Sequence, residues 1–207
     1  MRSNDHGPWA GVDVGGRRKG FDVAVANDER LLALARCATP ADVLRVLGDY
    51  EPLLVAIDSP CAAAPSGATL RECERALQAA VCGIRWTPDQ AALDSGNPYY
   101  EWIRLGLDLY RALEAEGLST IEVFPTASWT RWTGTRRGSR AAWTKRAMTM
   151  LGLEEVPAHT NQDVRDAIAA AVTARQQSRG ETDAFGPIVV PKAPGPVWPA
   201  SQRRVST

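Results

Sequence analysis

Residues Gly11 to Val25 read GVDVGGRRKGFDVAV, which is two apolar runs joined by a turn rich in glycine and basic residues. This pattern predicts a β-hairpin. Because side chains alternate along a strand, Val12 and Val14 point to one face of the sheet and Asp13 to the other. A lone carboxylate between apolar neighbours is costly unless it is paired, binds a cation or caps the turn through its own backbone. Asp13 therefore marks either a turn cap or a cation site.

The composition narrows the kind of protein and the kind of metal. The 207 residues carry 24 basic and 24 acidic side chains, so no net charge attracts nucleic acid over the whole surface. No apolar run reaches the length of a membrane span. Four cysteines without a Cys-x-x-Cys pair, and no recognisable signal peptide, lead us to expect reduced thiols in a cytoplasmic protein. With His6 and His159 as the only histidines, a metal would be a hard cation held by oxygen, Mg²⁺ or Mn²⁺.

The order of predicted elements favours a single α/β domain over residues 1–190, followed by a proline-rich tail over 191–207. Strands are predicted over 9–15, 21–27, 31–38, 53–58 and 120–124, and helices over 40–49, 69–80, 102–116, 141–151 and 162–177. Residues 87–99 and 131–140 are predicted to be loops, and residues 187–190 are one further possible strand. A meander followed by a helix and an apolar strand predicts a mixed five-stranded sheet in the order 3-2-1-4-5, with helices on both faces.

Acidic residues recur at defined places in this frame: Asp13, Asp58, Glu122, Asp163 and Asp166. Each has a simpler interpretation, because Asp58 could begin a turn, Glu122 could face water at an edge, and Asp163 suits a helix amino terminus. Asp166 could pair with a neighbouring arginine. Asp163 and Asp166 share one helix face, and the alanines after them would let that helix approach the sheet closely. Together the acids match the ribonuclease H-like fold, whose carboxylates hold two divalent cations about 4 Å apart for phosphodiester cleavage.

Five motifs together resemble the family catalogued as domain of unknown function 429, which is described as predicted nucleases of the ribonuclease H-like fold. The resemblance spans about residues 8 to 192, and the motifs are GVDVG at 11–15, AIDSP at 56–60, RECER at 71–75, EVFP at 122–125 and DVRDA at 163–167. The first and last also resemble the acids of Holliday-junction resolvases. The resemblance implies a nuclease with Asp13, Asp58, Glu122 and Asp166 as catalytic acids. These four and Asp163 would bind the metal, with Asp13 bridging two ions.

Basic residues near these motifs are candidates for contacts with substrate phosphates: Arg17, Lys19, Arg71, Arg136, Arg137 and Lys145. Residues 131–146 contain six basic side chains and no acid, interleaved with Trp132 and Trp143. Such a segment can bind phosphates and stack on unpaired bases, or it can be a solvated loop with its tryptophans packed inward.

The sequence therefore predicts a divalent-metal-dependent nuclease that binds DNA or RNA and no membrane. A non-catalytic binding domain of the same fold is the first alternative. The second is an actin-like phosphotransferase, since Gly-x-Asp-x-Gly-Gly at residues 11–16 also resembles the first phosphate loop of those kinases. Kinases of that fold normally have two such domains and a glycine motif that binds adenosine, and no such motif follows here.

Overall fold

The computed structural model of the protein describes residues 7–193, which form a mixed sheet covered by helices on both faces. The sheet has seven strands in the order β3-β2-β1-β4-β5-β7-β6, so the prediction of five strands is wrong, although its order of the first five is confirmed. The strands are β1 (Trp9–Val14), β2 (Phe21–Ala26), β3 (Leu31–Cys37), β4 (Val55–Asp58), β5 (Thr120–Val123), β6 (Thr182–Phe185) and β7 (Ile188–Pro191).

The first three strands form an antiparallel meander, and β4 and β5 add to β1 in parallel. Of the two strands beyond the predicted five, β7 matches the possible strand over 187–190 and β6 was not predicted. The two form a tight hairpin that turns at Gly186, where φ is +57°. A glycine tolerates this left-handed conformation because it has no Cβ. The hairpin joins the sheet through β7, which pairs in parallel with β5.

Within residues 7–193, seven α-helices and a short 3-10 helix (Pro98–Tyr100) connect and cover the strands, and some differ from the predicted ones. The α-helices are α1 (Pro40–Gly48), α2 (Glu72–Ala80), α3 (Gln90–Asp94), α4 (Glu101–Ala115), α5 (Pro125–Thr133), α6 (Arg140–Met150) and α7 (Gln162–Ser178). The predicted loop over 87–99 contains α3, which begins at an Asp89 side chain that accepts a hydrogen bond from Ala92 N–H. A helix that was not predicted, α5, begins directly after β5 at Pro125, because proline fits the first turn of a helix. It runs to Thr133, so the first three residues of the predicted loop over 131–140 are helical.

The two faces of the sheet are covered by different helices. Val12 and Val14 pack with residues of α1 and α4, so the apolar alternation of β1 is buried on that side. The other face of β1 packs against α7. An ideal Cβ at Gly11 would lie 2.2 Å from the backbone oxygen of Ala167 and 2.2 Å from the backbone nitrogen of Ala171. Only glycine allows this approach, and it brings the first turn of α7 beside Asp13, as the alanine-rich sequence predicts.

Three further predictions concern the whole chain. No helix in the range 7–193 combines the length and the apolar character that crossing a membrane requires. The four cysteines are unpaired, with Cys37 buried and the other three partly exposed. The predicted tail begins at Pro191, which is the last residue of β7, and its residues 194–207 lie outside the described part of the chain.

Candidate metal centre

Three aspartates lie side by side across neighbouring strands. Asp13 of β1 is in register with Asp22 of β2 on one side and with Asp58 of β4 on the other. Residues in register project to the same face, so all three carboxylates belong to the face that α7 covers. The register of β1 between its two neighbours therefore places Asp13 at the centre of the row.

The first turn of α7 adds two more acids to this row. Asp13, Asp22 and Asp163 each offer a carboxylate oxygen that lies within 4.8 Å of the others. Asp166, three residues further along α7, is 3% exposed and interacts electrostatically with both Asp13 and Asp58. The helix amino terminus itself favours negative charge, which offsets part of the repulsion. Five carboxylates thus converge at the carboxyl ends of β1 and β4.

These acids differ in the number of hydrogen bonds that their carboxylates accept from the protein. Asp166 accepts hydrogen bonds from Trp129 Nε1 at 2.8 Å, Gln162 Nε2 at 2.9 Å and Arg140 Nη2 at 2.8 Å. Asp13, Asp22 and Asp58 accept no hydrogen bond from any residue between 7 and 193, although Asp22 is only 5% exposed. A buried carboxylate without a donor is costly unless a cation binds it, so these three are free to act as ligands.

Burial and mutual repulsion raise the pKa values of the acids. Burial is the largest cause for Asp13, followed by the charges of Asp166, Asp163 and Asp22, and its pKa rises from 3.8 to about 8. The pKa of Asp58 is raised well above its usual value, first by burial and then by Asp13 and Asp166. Burial also raises the pKa of Asp22 and of Asp166, where Arg140 opposes the rise. A divalent cation would reverse these shifts by stabilising the charged forms.

Glu122 lines the same cleft as the aspartates, and its charge helps to raise the pKa of Asp58, but it projects to the other face of the sheet. In β5 it is in register with Ile57, whereas Ile121 is in register with Ala56, so Glu122 projects to the face opposite Asp58. Its carboxylate accepts hydrogen bonds from Arg71 Nη1 at 2.8 Å, Arg71 Nη2 at 2.5 Å and the backbone N–H of Cys61 at 2.9 Å. Arg71 is 6% exposed and also donates from Nε to Glu74 at 3.0 Å. Because the Glu122 carboxylate and the Arg71 guanidinium satisfy each other, neither is free to bind a cation or a phosphate without breaking this pair.

A cleft of about 820 Å³ opens over the acids and is lined by Asp13, Asp58, Asp163 and Asp166. Its walls also carry the cations Lys19, Arg71, Arg85, Arg136 and Arg140. Of the predicted phosphate contacts, Lys19, Arg71 and Arg136 therefore lie at the cleft, where Arg71 is paired with Glu122. Arg17 is exposed and forms an ion pair with Glu101, while Arg137 and Lys145 are exposed outside the lining residues. Trp129 and Trp143 are packed in the interior, and Trp132 contacts Trp129 edge to face.

Asp22 and Arg85 were not predicted as site residues, and Arg140 was predicted only as one of the basic side chains of residues 131–146. Asp22 carries the same signal as Asp13, since it is an acid inside an apolar strand, and the two are equally far from the turn that joins their strands. An antiparallel hairpin pairs such positions. Arg85 follows no motif that singles it out, and the placement of Arg140 depends on the packing of α6 against α7.

The acids fit a hard divalent cation. Mg²⁺ and Mn²⁺ prefer carboxylate oxygens, and no histidine or cysteine lies among the clustered residues within the range 7–193. The oxygens of Asp13, Asp22 and Asp163 are close enough to share one ion after small side-chain movements. Asp58 and Asp166, on the other side of Asp13, could bind a second ion.

Comparisons with known proteins agree with this architecture. The family model described as "Protein of unknown function (DUF429)" matches residues 11–189. The structure of RuvC from Thermus thermophilus has 18% identity, with a TM-score of 0.49, over 83% of this chain and 95% of that chain. RuvC from the same organism in complex with a Holliday junction substrate has 17% identity and a TM-score of 0.50, over 83% and 94% of the chains. The likeness shows the fold. No match was found among curated proteins.

Proposed function

The chain belongs to the DUF429 family, and from its nuclease-like fold and its acidic centre we propose that it hydrolyses phosphodiester bonds of nucleic acid with a divalent cation. The observation that carries this proposal is the convergence of five carboxylates at one end of the cleft, three of which accept no hydrogen bond from the described residues. Such a group is stable in its charged form only with a cation. Nucleic acid supplies the phosphates that the cations on the cleft walls would contact.

Within this proposal the acids have separate tasks. Asp13, Asp22 and Asp163 would hold one Mg²⁺ or Mn²⁺, and Asp58 and Asp166 would hold a second one with Asp13 as the shared ligand. In sites of this kind the cations activate a water and stabilise the leaving oxygen. Trp129, Gln162 and Arg140 would orient the Asp166 carboxylate, because their three hydrogen bonds fix its rotamer.

The cleft walls would hold the substrate. Arg85, Arg136 and Arg140 line the cleft together with the acids, and guanidinium groups bind phosphates through paired hydrogen bonds. Since the net charge is zero, this local group of cations would supply the attraction. RuvC is seen with a Holliday junction, so branched DNA belongs among the candidate substrates together with linear DNA and RNA.

The test is a cleavage assay with fluorescently labelled single-stranded, duplex and branched DNA and with RNA, in Mg²⁺, in Mn²⁺ and in EDTA. We expect cleavage of at least one substrate that requires the cation and is lost in Asp13→Asn. The matched control is Asp108→Asn, which neutralises an exposed acid of α4 that pairs with Arg111. Binding of nucleic acid without cleavage in either cation would refute hydrolysis and support the non-catalytic alternative.

A further inference from the structure

Lys19 is held so that its side chain bends back over the acidic centre. An ideal Cβ at Gly15 would lie 2.5 Å from the Cβ of Lys19, so glycine at this position makes room for the lysine. The carbonyl oxygen of Lys19 accepts hydrogen bonds from Arg36 Nε at 3.1 Å and Arg36 Nη2 at 2.8 Å. Its backbone N–H donates to the carbonyl of Gly16 at 2.8 Å. These contacts therefore hold the backbone of Lys19, from which the side chain extends toward the acids.

The Lys19 ammonium occupies the place of a cation among the acids. Its Nζ donates to Asp163 Oδ2 at 2.7 Å, and its charge also acts on Asp13 and Asp22. These are the three residues whose oxygens lie within 4.8 Å of one another. Arg36, the register neighbour of Asp22 in β3, also acts on Asp22, and its charge opposes the rise in the pKa of Asp22 more than the charge of Lys19 does, while its guanidinium donates hydrogen bonds to the Lys19 carbonyl. A divalent ion at these oxygens would compete with the ammonium for Asp163 and repel it.

Once displaced, the ammonium can turn into the cleft, where a substrate phosphate would supply the counter-charge. The Lys19 side chain is 59% exposed and the residue lines the cleft together with Arg85, Arg136 and Arg140. A lysine is a flexible point charge that commonly binds phosphate.

We propose that Lys19 is a substrate-positioning residue that pairs with Asp163 when no divalent cation is bound and contacts a substrate phosphate once the cation has taken its place. This inference rests on the proposed function, since it uses the same acids and the same substrate class. Lys19 would then bind a substrate phosphate only when the divalent cation is present, so the substrate would be positioned only at a metal-bound centre.

The first test measures Mn²⁺ binding without nucleic acid, by the electron paramagnetic resonance signal of free Mn²⁺. Lys19→Met removes the competing charge, so we expect Mn²⁺ to bind about two- to fivefold more tightly, the range that corresponds to losing an exposed ion pair. The control is Arg18→Met, which removes a charge from the same turn and should leave the affinity unchanged. Unchanged or weaker binding by Lys19→Met would overturn the proposal.

The second test measures the salt dependence of nucleic-acid binding by fluorescence anisotropy, in Ca²⁺ and in EDTA. In Ca²⁺ the Lys19→Met variant should lose about 0.9 from the slope on duplex, or about 0.7 on single strands, because one phosphate contact is gone. In EDTA its slope should equal that of the wild type. Equal slopes in Ca²⁺, or the same loss in both buffers, would contradict a metal-conditional contact.

Neither test requires cleavage, so the two proposals can fail separately. A wild-type protein that binds Mn²⁺ but cleaves no substrate refutes the hydrolase, while the Lys19 variant still decides this inference. A wild-type protein that binds no Mn²⁺ overturns both.

Discussion

Replacing Asp13 with asparagine should stabilise the metal-free protein. The carboxylate sits between Asp22 and Asp58 with no hydrogen-bond donor among residues 7–193, so the substitution removes repulsion without breaking a bond. The new amide group can in addition donate to the acids beside it. Asp13→Asn keeps the shape of the side chain, so the packing of α7 on β1 should not change.

The size of the effect follows from the raised pKa of Asp13. Moving that pKa from 3.8 in the unfolded chain to about 8 in the folded one corresponds to a cost of roughly 5–6 kcal/mol at pH 8, at 1.36 kcal/mol per pH unit. Water reaches this half-buried residue and screens part of the repulsion. We therefore expect Asp13→Asn to raise the free energy of unfolding by about 1–3 kcal/mol at pH 8.

The pH dependence has a definite sign. An acid whose pKa is raised by folding lowers the stability increasingly as pH rises from 3.8 toward about 8, since the folded state then holds the extra proton. The gain from Asp13→Asn should therefore be largest near pH 8 and vanish near pH 4. Urea unfolding in EDTA at a series of pH values measures it, with Asp108→Asn as the control that stays within about 0.5 kcal/mol.

With a divalent cation present, the wild type should gain more stability than Asp13→Asn. At a concentration one hundred times its dissociation constant, Mn²⁺ would stabilise the wild type by about 2.7 kcal/mol and Asp13→Asn much less. If Asp13→Asn is instead strongly destabilised in EDTA at pH 8, Asp13 is satisfied by the protein itself and the reasoning is refuted.

Three further variants test the ion pair of Glu122, the packing of α7 on β1, and the basic residues of the 131–146 segment. Glu122→Gln breaks a buried ion pair and should cost about 3–5 kcal/mol in urea unfolding, opposite in sign to Asp13→Asn; a gain in stability would contradict this. Gly11→Ala pushes a Cβ against the backbone of α7 and should cost about 1–3 kcal/mol, whereas Gly48→Ala, with nothing within 4 Å, should not. Replacing both Arg136 and Arg137 by alanine should lower the salt slope of nucleic-acid binding by one to two, and an unchanged slope would show a solvated surface.

The order of the first five strands was predictable because each has its own local signal. Asp13 lies inside one apolar run and Asp58 ends another, and the alanines of α7 predict a helix that packs closely on the sheet. The structure brings these two aspartates together with Asp163 and Asp166, and their role as ligands remains a proposal. The hairpin of β6 and β7 was harder to predict, since Thr182–Phe185 is four residues long and has no apolar alternation.

Glu122 and Asp22 show what local patterns do not contain. The strand pattern predicts that Glu122 and its neighbours Ile121 and Val123 project to opposite faces of the sheet. Which face Glu122 occupies depends on the register of β5 against β4. A shift of that register by one residue would move every side chain of the strand to the other face. The partner of Arg71 is likewise 51 residues away in the sequence. Asp22 could have been found, because the length of the turn fixes which residues of a hairpin face each other.

The measurement that tests the metal centre most directly is anomalous diffraction from crystals soaked in Mn²⁺. We expect an anomalous peak at about 2.0–2.6 Å from carboxylate oxygens of Asp13, Asp22 and Asp163, with the Lys19 ammonium moved away from Asp163. The peak should be absent from crystals of Asp13→Asn. Saturating Mn²⁺ that leaves no peak at these oxygens in the wild type, or the same peak in both proteins, would contradict the central claim.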